Sequence, residues 1–70
     1  MAEVVAPMNG KIIKVVVEEG QKVQEDDDLL IMEAMKMEMP VGSPVAGTVK
    51  KIMVQAGDTV SVDQVVAIVE

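Results

Sequence analysis

Residues 7–33 can be laid on residues 44–70 at a constant offset of 37 without a gap. The offset pairs Pro7 with Pro44, Gly10 with Gly47, Gly20 with Gly57 and Asp26 with Asp63. Between these it pairs Lys14 with Lys51, Val17 with Val54, Val23 with Val60, Ile31 with Ile68 and Glu33 with Glu70. Prolines and glycines fix where a backbone bends, so their coincidence says that the two halves follow similar paths rather than only sharing a composition. At 70 residues the chain is expected to be one small domain over 1–70, of a size that buries only about 60% of its unfolded surface. Neither half can bury an apolar face alone, so the halves are expected to pack on one another about an approximate twofold axis.

The composition says what each half is made of. The apolar set is 15 Val, 5 Ile, 2 Leu, 7 Met and 6 Ala, with no aromatic residue, and β-branched side chains suit a pleated, packed surface. Turn residues cut the chain into short strands. The expected strands are Ala2 to Ala6, Lys11 to Glu18, Gln21 to Val23, Leu29 to Ala34 and Met37 to Val41. Pro7 with Asn9-Gly10, then Gly20, an acidic turn at Glu25 to Asp28, and Gly42-Ser43-Pro44 separate them. The second half repeats the pattern. The expected fold is all-β: a flattened barrel or sandwich of two four-stranded antiparallel sheets with quasi-twofold symmetry.

Several function classes drop out. A net charge of −6 offers no basic patch to displace counterions from phosphates, which argues against nucleic acid, and it disfavours an anionic membrane surface. Without cysteine or histidine there is no disulfide framework and no usual zinc or iron ligand set. The run Glu25-Asp26-Asp27-Asp28 lacks the ligand spacing of an EF-hand and its closing glutamate, so it reads as a solvated turn. Met1-Ala2-Glu3 lacks the basic region of a signal peptide, and no apolar run approaches the roughly 18 residues of a membrane span. A soluble cytoplasmic protein is expected.

One stretch stands out: Glu33-Ala34-Met35-Lys36-Met37-Glu38-Met39. Lys36 is the only lysine within thirteen residues on either side. A two-residue turn centred on Met35-Lys36 would set Ala34 opposite Met37, Glu33 opposite Glu38, Met32 opposite Met39 and Leu30 opposite Val41. Such a turn prefers Asn-Gly, and as type I′ it would hold two ordinary side chains at positive φ. Directly opposed Glu33 and Glu38 are also unfavourable. Local rules broken at one place mark a candidate site. By spacing alone, a lone lysine at a hairpin tip fits a solubilising charge equally well, and Met35, Met37 and Met39 fit a strand face turned to the core. The offset makes Glu33 equivalent to Glu70 and Glu38 equivalent to Met1, which puts the hairpin at one end of the molecule and both chain ends at the other.

Glu33-Ala34-Met35-Lys36-Met37-Glu38 resembles the attachment motif of biotinyl domains, the biotin carboxyl carrier branch of the biotinyl/lipoyl attachment family. The likeness covers essentially the whole chain. It includes Ala6-Pro7-Met8-x-Gly10, Glu19-Gly20-x-x-Val23, Ser43-Pro44-x-x-Gly47 and Ala56-Gly57-Asp58-x-Val60. The resemblance implies a barrel-sandwich hybrid and a covalent biotin on Lys36. It also implies recognition by a biotin protein ligase through Glu33, Ala34, Met35, Met37 and Glu38. Lipoyl domains share the fold but typically carry Asp before the lysine and Ala after it, whereas both neighbours here are Met. Two departures are visible: Asp26 and Asp63 stand where relatives often have glycine, a change that the left-handed tolerance of Asp accommodates. There is no inserted thumb between the halves, as in the thumbless domains of pyruvate, propionyl-CoA and decarboxylase-type systems.

By the same resemblance the domain is a monomeric carrier without chemistry of its own, moving a carboxyl group between a biotin carboxylase and a carboxyltransferase. Lys36 must lose its proton before it attacks an acyl-adenylate, and no neighbouring base is evident, which leaves that task to the ligase. The alternatives are a lipoyl carrier and, in a different class, a soft Cu(I) site built from Met35, Met37 and Met39 with Met8, Met32 or Met53. The copper alternative gives Lys36 and the doubled halves no purpose.

Overall fold

The β-branched runs form eight short strands, and the turn residues fall between them. The structure is a computed structural model and describes residues 2–70. In chain order the strands are β1 (Ala2–Val5), β2 (Gly10–Val15), β3 (Lys22–Val23), β4 (Asp28–Ala34), β5 (Met37–Gly42), β6 (Gly47–Ile52), β7 (Thr59–Val60) and β8 (Val65–Val69). They make two four-stranded antiparallel sheets, ordered β1-β8-β6-β3 and β5-β4-β2-β7.

The sequence repeat is a repeat of register. Lys14↔Ile31 in one sheet becomes Lys51↔Ile68 in the other, and Leu30↔Val41 becomes Ala67↔Val4. The bulges recur as well: the slip between Ile12 and Lys14 has its counterpart between Val49 and Lys51. Burial follows the same rule. Apart from Ala34, every buried residue of the first half has a buried partner 37 positions on, as in Ile12 with Val49, Met32 with Val69 and Leu29 with Val66. Ser43 takes the place of Ala6, and its hydroxyl is satisfied by donating to the Val45 carbonyl at 2.5 Å. A buried polar group is tolerated on that condition.

The halves are interleaved rather than each forming one sheet. Short links such as Ala6 to Asn9 carry the chain from one sheet to the other, so each sheet takes two strands from each half. Among the described residues, β4 and β5 are the only consecutive strands that pair with each other. Their hairpin is the one that contains Lys36.

Strand limits differ from expectation where the backbone bends. The second strand ends at Val15 rather than Glu18, because the bulge after Ile12 turns it toward the Glu18–Gln21 turn. The Gln21 side chain accepts the Glu18 N–H there at 3.1 Å, and Asp58 does the same for Gln55 at 3.0 Å. The first strand stops at Val5, while Ala6 bonds the β7–β8 turn through Gln64 and Asp63. The third shortens to Lys22–Val23, and the fourth and fifth each gain a residue, Asp28 and Gly42.

Strand directions fix the poles. β1 pairs antiparallel with β8, Ala2 against Val69, and runs from there to the link that delivers Asn9 and Gly10 to the start of β2. β4 is antiparallel to β2 and ends at Ala34 beside that start. The hairpin and the paired chain ends therefore lie at opposite poles, as expected; the equivalence of Glu38 with Met1 lies outside the described residues.

Candidate functional site

The hairpin has the anticipated register: Ala34↔Met37, Glu33↔Glu38, Met32↔Met39 and Leu30↔Val41. Met35 and Lys36 occupy its tip at φ 53° and 64°, the left-handed pair of a type I′ turn. Neither is glycine, so each costs on the order of 1 kcal/mol. The only other non-glycine residues at positive φ among those described are Asp26 at 72° and Asp63 at 67°, a residue type that enters this region more readily than most.

The strained turn holds its side chains out. Lys36 is exposed, and among the described residues no carboxylate pairs with it; the ion pair that does form joins Lys50 to Glu70. Met35 is 84% exposed and Met37 66%. Register explains the difference from Met39, which is half-buried. Leu30, Met32 and Ala34 face inward, and opposite residues share a face, so Met37 and Met39 also lie on the inward face. Of these two, Met39 packs against the core. Met37 is on the last rung of the edge strand and stays 66% exposed, although Ala34 opposite it is buried. Met32, by contrast, is wholly enclosed.

The root of the hairpin is clamped. A Cβ on Gly10 would collide with the Glu33 carbonyl oxygen and press on the Met32 methyl, so only glycine lets β2 approach β4 so closely. The side-chain oxygen of Asn9 accepts the Val62 N–H at 2.7 Å, tying the β7–β8 turn to the same pole. Beside the tip is an open depression of about 520 Å³ lined by Asn9, Lys11, Glu33, Lys36, Thr59 and Ser61 among others. Glu33 stands between Lys11 on one side and Glu38 on the other, so its charge is partly compensated and that of Glu38, on the sheet edge, is not. The six residues that the sequence singles out, Glu33 to Glu38, all lie on this hairpin. Sequence reasoning went no further than that and missed the support from Asn9, whose signal was only a turn dipeptide.

An exposed primary amine on a stiff turn can accept an acyl group, and nothing crowds it. No histidine or cysteine exists to build a nucleophilic constellation around it. A doubled β scaffold with one such amine at the single in-sheet hairpin among the described residues defines a class of prosthetic-group attachment domains. The family model described as "Biotin-requiring enzyme" matches residues 2–69. The chain belongs to that family and is a biotinyl domain, a non-catalytic carrier of covalently held biotin. It is 40% identical over 68 residues to the "Biotinylated protein TB7.3 homolog" of Mycobacterium leprae (strain TN), covering 97% of this chain and 90% of that protein. It is 47% identical over 57 residues to the "Biotin carboxyl carrier protein of acetyl-CoA carboxylase" of Solanum lycopersicum, covering 81% of each. "Pyruvate carboxylase 1" of Caenorhabditis elegans is 43% identical over 65 residues, which are 93% of this chain and 6% of that protein. The crystal structure of Kluyveromyces lactis urea carboxylase superposes with a TM-score of 0.94 at 35% identity, over 99% of this chain and 6% of that one. The chain spans 5–8% of the length of the large carboxylases it matches.

Proposed function

We propose that Lys36 Nζ holds biotin in amide linkage and that the domain carries it between a biotin carboxylase and a carboxyltransferase. The observation that supports this reading is the turn: Met35 and Lys36 at positive φ hold an exposed amine out between two exposed thioethers. Bound biotin supplies a ureido nitrogen that takes up and gives back a carboxyl group. The chain's own residues perform no part of that exchange. Lys36 provides the attachment atom, and amide formation removes its charge.

Of the five recognition residues that the resemblance implies, Ala34 alone is buried; Glu33, Met35, Met37 and Glu38 form the exposed surface around Lys36 that a biotin protein ligase would read. Met35 and Met37 give it adaptable apolar contact, and Glu33 and Glu38 give it a negative rim. The buried Ala34 sets the height of the tip above the core. As a monomeric domain tethered to its enzymes, it would hold the cargo at an effective concentration on the order of millimolar at each site.

Co-expression with an active biotin ligase, followed by intact mass and peptide mapping, tests the assignment. One biotinoyl group on Lys36 is expected. An unmodified chain, or biotin on Lys11, Lys14, Lys22, Lys50 or Lys51, would defeat it, and a lipoyl group in its place would transfer the role to the lipoyl branch.

A further inference from the structure

The described methionines fall into three environments. Met35 and Met37 stand free at 84% and 66% exposure, Met53 is 48% exposed after β6, and Met32 is wholly enclosed; Met8 and Met39 pack half-buried against the core. The two most exposed thioethers in the described chain are therefore the two that flank Lys36. Exposure governs how readily a peroxide reaches sulfur. A solitary surface methionine would carry no consequence, but these two form the apolar part of the face proposed above for ligase docking.

We propose that Met35 and Met37 are a reversible oxidation site that gates loading of the domain: their sulfoxides block biotinylation of Lys36. In the oxidation step a sulfur lone pair attacks one oxygen of hydrogen peroxide and the O–O bond breaks. Sulfur becomes the sulfoxide, and the other oxygen leaves as water after proton transfer. The product is polar and chiral where the thioether was apolar and flexible, so it loses the contact that a docking ligase would bury. Nothing in the fold opposes the change. Met35 lies on the turn and Met37 is exposed on the edge strand, so both can be oxidised without disturbing the core around Met32. Reversal needs a dithiol reductant and two methionine sulfoxide reductases, one for each sulfoxide epimer. Each regenerates the thioether, releasing water and a disulfide.

The inference rests on the proposed attachment at Lys36, and the test separates the two. The unmodified chain is treated with graded hydrogen peroxide, and tandem mass spectrometry follows each methionine. The initial rate of biotinylation is then measured with a biotin ligase, ATP and biotin. Met35 and Met37 are expected to oxidise before Met53, and Met32 last. Biotinylation is expected to fall about tenfold or more once both flanking residues are sulfoxides, the loss of an apolar contact of roughly 1.4 kcal/mol or more, and to recover after treatment with both reductases and a dithiol. Met53→Leu serves as a control and should show the same inhibition. An unchanged rate on the doubly oxidised chain overturns the proposal and leaves the carrier assignment standing, as do inhibition that tracks Met53 and inhibition that the reductases fail to reverse. Failure of the untreated chain to accept biotin on Lys36 overturns both.

Discussion

Met35 and Lys36 are consecutive non-glycine residues in the left-handed region, and they form the turn of the only hairpin between consecutive strands in the described chain. The strain is local, and the rest of the scaffold carries it.

Removing the strain should therefore stabilise the domain and harm its loading. Met35→Gly is expected to raise stability by about 0.5–1 kcal/mol, since glycine adopts positive φ without steric cost. Chemical denaturation reads the gain, and the same variant should be biotinylated more slowly by a biotin ligase. An equal or lower denaturation midpoint would mean that the turn is not strained.

Lys36→Arg should fold as the parent does and take no biotin, because a guanidinium stays protonated and is a poor acyl acceptor. Circular dichroism and intact mass after co-expression with ligase check the two halves of this statement. Biotin on the variant would place attachment elsewhere.

Glu38 faces Glu33 with no compensating cation on its outer side. Glu38→Lys is expected to stabilise the hairpin by about 0.2–1 kcal/mol, with the gain shrinking in high salt as screening removes it. Thermal melts at low and high ionic strength measure both. The variant also reverses the charge on one side of Lys36, and its loading by the ligase should slow.

The repeat makes Gly10 and Gly47 equivalent, and an added Cβ would meet the carbonyl oxygen of Glu33 in one case and of Glu70 in the other. Both oxygens are held: Glu33 lies on β4 between β2 and β5, and Glu70 exchanges backbone hydrogen bonds with Thr48 at 2.8 Å in each direction. Gly10→Ala and Gly47→Ala should therefore each cost about 2–3 kcal/mol, near the upper part of the overpacking range. Urea unfolding of the two variants makes the comparison. A much smaller loss for Gly47→Ala would show that the Glu70 backbone gives way more readily than the hairpin root.

The hairpin was legible down to its register because a two-residue turn leaves one way to pair Leu29–Ala34 with Met37–Val41. The left-handed turns at Asp26 and Asp63 were legible through the resemblance, which sets these residues where glycine is common, and through the readiness of Asp to enter that region. The weaving of the halves was not. β3 and β7 are two residues each, too short for any alternation to show which sheet they join, and their partners β6 and β2 are far away in sequence. Nor did letter matching reveal that Gln21 and Asp58 hold equivalent turns, since an amide and a carboxylate offer the same acceptor oxygen while looking unrelated. Alternation alone would turn Met35, Met37 and Met39 together toward the core. Met35 lies in the turn instead, and of the two that share a strand face only Met39 packs against the core, because Met37 ends the edge strand.

β8 and β1 stand to each other as β4 and β5 do, Val69 beside Ala2 as Met32 is beside Met39. In a variant that joins Glu70 to Ala2 through five added residues, the new segment would follow the path of Ala34 to Glu38, and no strand would have to shift. Spelling it Ala-Met-Lys-Met-Glu would give the closed molecule two cargo arms pointing in opposite directions.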